Sequence, residues 1–180
     1  MTLITDTPPG GFDIIVADPP WKFASNSAAK PGRNAMRHYP CMPTKDIAAM
    51  PVELTSAKHA LLFLWATSPM LPQALDVMGA WGFKYISSAV WVKTRLGTGY
   101  WFRNRHEILL LGKRGKFPRG AKAPFKTSII EGEFRGHSRK PSQLQDRIDE
   151  IWPTQAKLEM FARQRRLGWA AHGNEVPDGD

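Results

Sequence analysis

Short apolar runs constrain this chain more than any other feature of its sequence. Residues 12–18 read Phe-Asp-Ile-Ile-Val-Ala-Asp, and residues 60–66 read Ala-Leu-Leu-Phe-Leu-Trp-Ala. Runs of this length without polar alternation are typical of strands that are buried on both faces. The first run must end at Ala17 or Asp18, because the prolines that follow cannot donate to a sheet ladder. Such strands, separated by helices, indicate an α/β sheet that is covered on both faces.

The other elements follow from the same kind of pattern. We expect helices near residues 44–50, 69–80 and 141–152, and further strands near residues 85–92, 107–111, 128–130, 157–162 and 167–171. Ser68 is predicted to cap the second helix, with Pro69 at its first position. No repeat or linker divides the chain, so we expect one domain over residues 1–180, frayed at residues 1–10 and 176–180.

Composition limits the environment in which such a domain works. The chain has 180 residues, of which 42% are hydrophobic and 23% charged, and a single cysteine, Cys41. One cysteine excludes an internal disulfide framework, and no apolar run approaches the roughly 18 residues of a membrane helix. The five histidines are scattered, so no metal site is predicted. We expect a cytoplasmic protein that does not enter a membrane.

The positive charge is concentrated in one part of the chain. Residues 93–126 contain ten basic residues and one acidic residue, Glu107, so this window alone accounts for the net charge of +9. A local excess of this kind is typical of a face that binds nucleic acid, although a solubilising surface has the same composition. The predicted substrate contacts in this window are Lys93, Arg95, Arg103, Arg105, Lys116, Arg119 and Lys122.

The tetrapeptide Asp18-Pro19-Pro20-Trp21 lies where the first strand ends, which is where open α/β sheets bind ligands. It combines a carboxylate, carbonyls on a stiff backbone and an aromatic plane. This set suits an amino group attached to a ring, such as the N6 amine of adenine, whose lone pair is delocalised. All four residues are therefore predicted to be catalytic. The alternative is a rigid turn with a packed tryptophan.

Residues 17–21, Ala-Asp-Pro-Pro-Trp, resemble the motif of amino-group methyltransferases that use S-adenosylmethionine. The tryptophan form resembles the family of the catalytic subunit of messenger-RNA adenosine methyltransferase, whose bacterial and phage relatives include DNA adenine methyltransferases. Further segments are similar to that family at residues 62–67, 90–94, 97–101 with Glu107, 137–141, 157–163 and 173–174.

The resemblance implies a Rossmann-like methyltransferase fold. Its sheet would be mostly parallel with a β-hairpin, and the catalytic strand would precede the cofactor strands. S-adenosylmethionine is the implied cofactor. The expected cofactor contacts are Asp18, Lys140, Arg163 and Asn174, together with Arg165 and Glu175, at whose positions the messenger-RNA enzyme has other residue types. Tyr39 is the expected second wall for the base.

The implied activity is methyl transfer to the N6 amine of a flipped-out adenine in nucleic acid. DNA is expected rather than RNA, because a compact chain without added RNA-binding modules suits a bacterial or phage enzyme. Two alternatives stay open: an RNA adenosine N6-methyltransferase, and a non-catalytic subunit that binds nucleic acid for an active partner. A homodimer and a paired subunit are both compatible with the sequence.

Overall fold

The computed structural model of the protein describes residues 7–22, 41–97, 99, 101–117, 124–131, 140–174 and 176. The strands of this part form one sheet, in the spatial order β5-β3-β4-β2-β1-β6-β7. Their bounds are β1 Phe12–Ala17, β2 Ser56–Ala66, β3 Lys84–Val92, β4 His106–Arg114, β5 Ile129–Glu131, β6 Lys157–Met160 and β7 Ala170–His172.

The sheet is parallel except for β4. This strand pairs antiparallel with β2 on one side and with β3 on the other, while β1 pairs parallel with β2 and β6. Strands β3 and β4 are a hairpin within an otherwise parallel sheet. The predicted α/β class, with a mostly parallel sheet and a β-hairpin, is therefore confirmed.

Helices cover both faces of the sheet. They are α1 Thr44–Ala48, α2 Val52–Thr55, a 3₁₀ turn at Ser68–Met70, α3 Leu71–Ala80 and α4 Gln143–Ile151. Met78 of α3 packs with Leu62 and Leu64 in one core cluster. Ile148 of α4 packs with Phe63 and Trp65 in the other. Because alternate residues of β2 enter opposite cores, its apolar run has no polar face, as the sequence predicted.

Glycine at position 112 lets β4 lie close to α3. A methyl group added there would lie 2.8 Å from the sulfur of Met78 and 3.1 Å from Cβ of Phe83. Both neighbours are buried, so they have little room to move. The small residue is needed because the helix packs directly on the strand.

The structure corrects two local predictions. Ser68 does not cap α3, which the 3₁₀ turn precedes; its hydroxyl instead lies 3.2 Å from Nε2 of His106. The last strand begins at Ala170 rather than at residue 167, because Gly168 has a positive φ of 78° that ends extended backbone there.

Within the described ranges, no helix has the length and apolar character needed to cross a membrane. Residues 1–6 and 177–180, which belong to the predicted frayed ends, fall outside those ranges.

Candidate active site

Four charged side chains meet at one edge of the sheet. Asp18 follows β1 and Lys93 follows β3, both at carboxyl ends of parallel strands. Glu107 lies near the start of β4, which reaches the same edge because it runs antiparallel. Lys140 precedes α4 by three residues. The topology therefore brings together two acids and two bases that are far apart in the sequence.

The four groups form a continuous ion network. Nζ of Lys140 lies 2.5 Å from Oδ2 of Asp18 and 3.1 Å from Oε2 of Glu107. Oε1 of Glu107 accepts a hydrogen bond from Lys93. The side chains of Lys140 and Glu107 are 10% and 11% exposed, whereas that of Asp18 is 30% exposed. Of the two carboxylates, Asp18 is thus the one that an incoming group reaches more readily.

The two carboxyl groups respond differently to this environment. Burial raises the pKa of Asp18, and the Glu107 charge adds to the increase, so the attraction of Lys140 does not fully compensate. Burial acts in the same sense on Glu107, but two lysines contact it and together lower its pKa. Burial alone would lower the pKa of Lys140, yet its two carboxylate neighbours raise it. Acidification therefore protonates Asp18 more readily than an ordinary aspartate, and Glu107 less readily than an ordinary glutamate.

Residues 18–21 form a tight turn after β1. The Trp21 backbone N–H donates to the Pro19 carbonyl at 2.8 Å, and the Met42 N–H donates to the Pro20 carbonyl at 2.8 Å. A carbonyl oxygen has two lone pairs, so each can accept one further hydrogen bond. Both carbonyls are held in place by the chain and keep acceptor capacity.

Trp21 does not offer an open stacking surface. Its side chain is 4% exposed, and its indole N–H donates to the Trp65 carbonyl at 3.0 Å. The expectation that its ring stands free beside Asp18 is therefore wrong, because the ring is enclosed in the core that α3 covers. Trp21 anchors the turn to β2 instead. Tyr39, the other predicted aromatic wall, lies outside the described residues.

Of the predicted cofactor residues, Asp18 and Lys140 belong to the ion network, and the other four follow β6 and β7. Arg163 lies close enough to Asp18 for its charge to help lower the Asp18 pKa. Arg165, two residues further along, and Asn174, which follows β7, are both exposed. Phe161, between β6 and Arg163, has a positive φ of 59°, which costs a non-glycine residue about 1–3 kcal/mol. Glu175 falls outside the described part of the chain.

The segment that carries Arg163 and Arg165 is tied to α4. Nη2 of Arg166 lies 2.7 Å from Asp146 and 2.8 Å from Asp149. The same Asp149 accepts the indole N–H of Trp169 at 2.9 Å. These bonds fix the connection between β6 and β7 against the helix that begins beside Lys140.

The basic window does not lie at one place. Lys93, Arg95, Arg103 and Arg105 belong to the connection between β3 and β4, at the same edge as Asp18. Lys116 follows the far end of β4, where its backbone N–H donates to Nδ1 of His59 at 3.1 Å. The prediction that Lys116 lies at the active-site rim is wrong, because β4 runs away from that edge through Arg114. Arg119 and Lys122 were predicted there too and lie outside the described residues.

Sequence reasoning did not assign a site role to two residues that the structure places here. The sequence singled out Glu107 as part of a similar segment and as the one acidic residue of the basic window, but the structure shows that it joins both lysines. Glu159 on β6 is half-buried, and burial together with the nearby Asp18 charge raises its pKa. A carboxylate inside an apolar strand was the available signal for Glu159, because such a group is rarely buried without a reason.

Comparison with known proteins adds an independent line of evidence. The MT-A70 family model matches residues 12–175. The type II methyltransferase M.MunI of Mycoplasma sp is 28% identical over an alignment of 183 positions that covers 93% of this chain and 78% of that protein.

Two eukaryotic relatives are much longer than the region they share with this chain. A putative N(6)-adenosine-methyltransferase MT-A70-like protein of Medicago truncatula is 30% identical over 93% of this chain and 27% of its own length. The N(6)-adenosine-methyltransferase catalytic subunit METTL3 of Homo sapiens is 25% identical over 93% of this chain and 28% of its own length. The chain thus spans about a quarter of these two relatives.

Proposed function

Since the chain belongs to the MT-A70 family and is an adenine-N6 methyltransferase, we propose that it methylates a flipped-out adenine in nucleic acid, in DNA rather than RNA. The observation that carries this proposal is the Asp18 carboxylate. It lies at the tip of β1, is partly exposed, and is held by Lys140 at 2.5 Å. Carbonyl acceptors of the same turn lie beside it.

The turn suits the chemistry of an aromatic amine. The amino nitrogen of adenine shares its lone pair with the ring and is a weak nucleophile. A hydrogen bond from one N–H to Asp18 and from the other to the Pro19 carbonyl would return electron density to that nitrogen. The negative carboxylate also stabilises the positive charge that develops on nitrogen during attack. Asp18 must be ionised for both effects.

Methylation requires the amine to release one proton. Of the two carboxylates in the ion network, Asp18 has the raised pKa and Glu107 the lowered one. The upward shift favours proton uptake by Asp18, and the downward shift disfavours it at Glu107. Lys140 remains charged beside both carboxylates, so it holds Asp18 in position without competing for the proton.

The family implies S-adenosylmethionine as the methyl donor, and side chains of β6, of the segments after β6 and β7, and of the start of α4 fit its functional groups. Lys140 and Arg163 are cations suited to its carboxylate, and the Asn174 amide suits its ribose hydroxyls. Glu159 offers a half-buried carboxylate to its ammonium group; Gln145 donates to that carboxylate at 3.4 Å. When bound, this cofactor supplies an electrophilic methyl group on a sulfonium sulfur.

The preference for DNA rests on the likeness to the type II methyltransferase of Mycoplasma sp, which is 28% identical over 93% of this chain. Extrusion of the base would let one pocket take adenine from a duplex, at a cost of a few kcal/mol. The cations between β3 and β4 are placed to offset part of that cost through phosphate contacts.

A side-by-side assay tests the proposal. The chain is incubated with tritiated S-adenosylmethionine and with DNA or RNA of the same sequence, and the nucleosides are identified by mass spectrometry. We expect N6-methyl-2′-deoxyadenosine in the DNA at a higher level than N6-methyladenosine in the RNA. Label in RNA alone would favour the RNA enzyme. Binding of both polymers without methylation of either would favour the non-catalytic subunit.

A further inference from the structure

Two adjacent aromatic side chains project from the connection between β3 and β4. Trp101 is 95% exposed and Phe102 is 85% exposed. Other tryptophans of the described part, such as Trp65 and Trp91, are 1% exposed. Isolated apolar residues on a surface are ordinary, but a neighbouring pair of almost bare aromatic rings indicates a binding function.

Hydrogen bonds brace the connection on both sides of this pair. Beyond the strands, the Lys93 N–H donates to the Arg105 carbonyl at 2.6 Å, and the Gly97 N–H donates to the Asn104 carbonyl at 2.7 Å. Nε of Arg103 also donates to the Gly97 carbonyl at 3.2 Å. These bonds extend the hairpin past Val92 and His106, where β3 and β4 stop pairing. The rings are therefore carried on a braced extension of the sheet.

This extension starts at the active-site edge. Its base consists of Lys93 and Glu107, which are bonded to each other, and Glu107 in turn contacts Lys140. Lys140 holds Asp18. The connection that carries the aromatic pair thus begins at the ion network that holds Asp18, at the end of the sheet where a polymer around the target adenine would lie.

The charge around the rings selects the partner. The connection that carries them also carries Lys93, Arg95, Arg103 and Arg105, and the one acidic residue between 93 and 126, Glu107, is already paired with two lysines. A second copy of this chain would bring the same cations to the contact and be repelled. Nucleic acid brings phosphates for the cations and flat bases for the rings.

We propose that Trp101 and Phe102 stack on the bases that flank the target adenine and hold the strand while that adenine enters the Asp18 site. This inference rests on the proposed function for its substrate class. Stacking needs no particular base, so the pair contributes affinity without fixing the recognition sequence. The neighbouring arginines contribute the salt-dependent part of binding, and the rings contribute a part that salt does not change.

The test compares affinity with its dependence on salt. The probe is a duplex oligonucleotide library with a central adenine in randomised context. The matched control is Leu54→Ala, since Leu54 is also apolar and 83% exposed but precedes β2 at the opposite edge of the sheet. For Trp101→Ala with Phe102→Ala, which removes two stacks, we expect affinity to fall by roughly 30-fold or more. The slope of log affinity against log salt should stay the same. Trp101→Phe should retain most of the affinity, because a phenyl ring still stacks.

Three results would overturn the proposal. The first is an affinity of the double variant within twofold of the parent. The second is a slope of log affinity against log salt that falls along with the affinity, which would mean that the rings only position the arginines. The third is sedimentation showing that the parent is a dimer and the double variant a monomer, which would make the rings a contact between copies. A parent that binds DNA through these rings but methylates nothing would instead contradict the proposed function alone.

Discussion

Replacing Lys140 by methionine perturbs the ion network at its centre. The substitution keeps a long side chain but removes the ammonium group that lies 2.5 Å from Asp18 and 3.1 Å from Glu107. Removing one partner of a buried ion pair costs about 3–5 kcal/mol. Asp18 is 30% exposed and can regain water, and Glu107 keeps Lys93, so we expect the lower end, about 3 kcal/mol.

The sharper consequence concerns the pH dependence of activity. Asp18 must be ionised to accept the amine, and burial already raises its pKa. Lys140 lowers that pKa both by its charge and by its hydrogen bond, so its removal raises the pKa further. As pH falls, activity is lost through the pKa of Asp18. The acidic limb of the profile should therefore move to higher pH in Lys140→Met.

The assay is kcat against pH at saturating S-adenosylmethionine, which separates the limb from any loss of cofactor affinity. Lys157→Met is the matched control, since Lys157 is also a buried lysine, 5% exposed, but its ammonium lies 3.5 Å from Asp149 rather than at the site. It should lose stability and leave the limb in place. An acidic limb in Lys140→Met that coincides with that of the parent would refute the reasoning.

Two further predictions concern substrate binding and packing. Replacing Arg103 and Arg105 by glutamine should flatten the slope of log DNA affinity against log salt by roughly 1 for each phosphate that is no longer neutralised. Lys116→Gln, at the far end of β4, should leave this slope unchanged. Equal changes of slope in the two variants would mean that the cations do not act at the active-site edge. Gly112→Ala should lower the free energy of unfolding, measured by chemical denaturation, by about 1–3 kcal/mol, because the added methyl group would press on Met78. Gly79→Ala, whose methyl group would have nothing within 4 Å, should leave stability unchanged or raise it slightly. An unchanged stability of Gly112→Ala would show that α3 can move away from β4.

The sheet could be predicted because the local sequence pattern of its strands is distinctive. The runs that became β1 and β2 are apolar on both faces, and the two prolines after Asp18 fix the end of β1 within one residue. The lengths of the strands could be predicted less well from the sequence. β4 extends to Arg114 rather than ending at residue 111, and this extension carries Lys116 to the far edge of the sheet.

The contacts within the site could not be obtained from local pattern. Lys140 and Asp18 are 122 residues apart, and only the parallel order of the sheet brings them together. The burial of Trp21 has the same origin, because its indole bonds to Trp65 on a neighbouring strand. By contrast, the exposed pair Trp101 and Phe102 had a readable signal, an aromatic pair between basic residues in a glycine-containing loop.

The most direct test of the central claim is the activity of Asp18→Asn. This substitution keeps the shape of the side chain and removes the negative charge that faces the amine. Turnover is measured by mass spectrometry of N6-methyl-2′-deoxyadenosine in treated DNA, and cofactor affinity by calorimetry. Because the charge of Asp18 acts on the amine, we expect turnover to fall by about 100-fold or more, with cofactor affinity within a few-fold of the parent. Methylation by Asp18→Asn at a rate within a few-fold of the parent would contradict it.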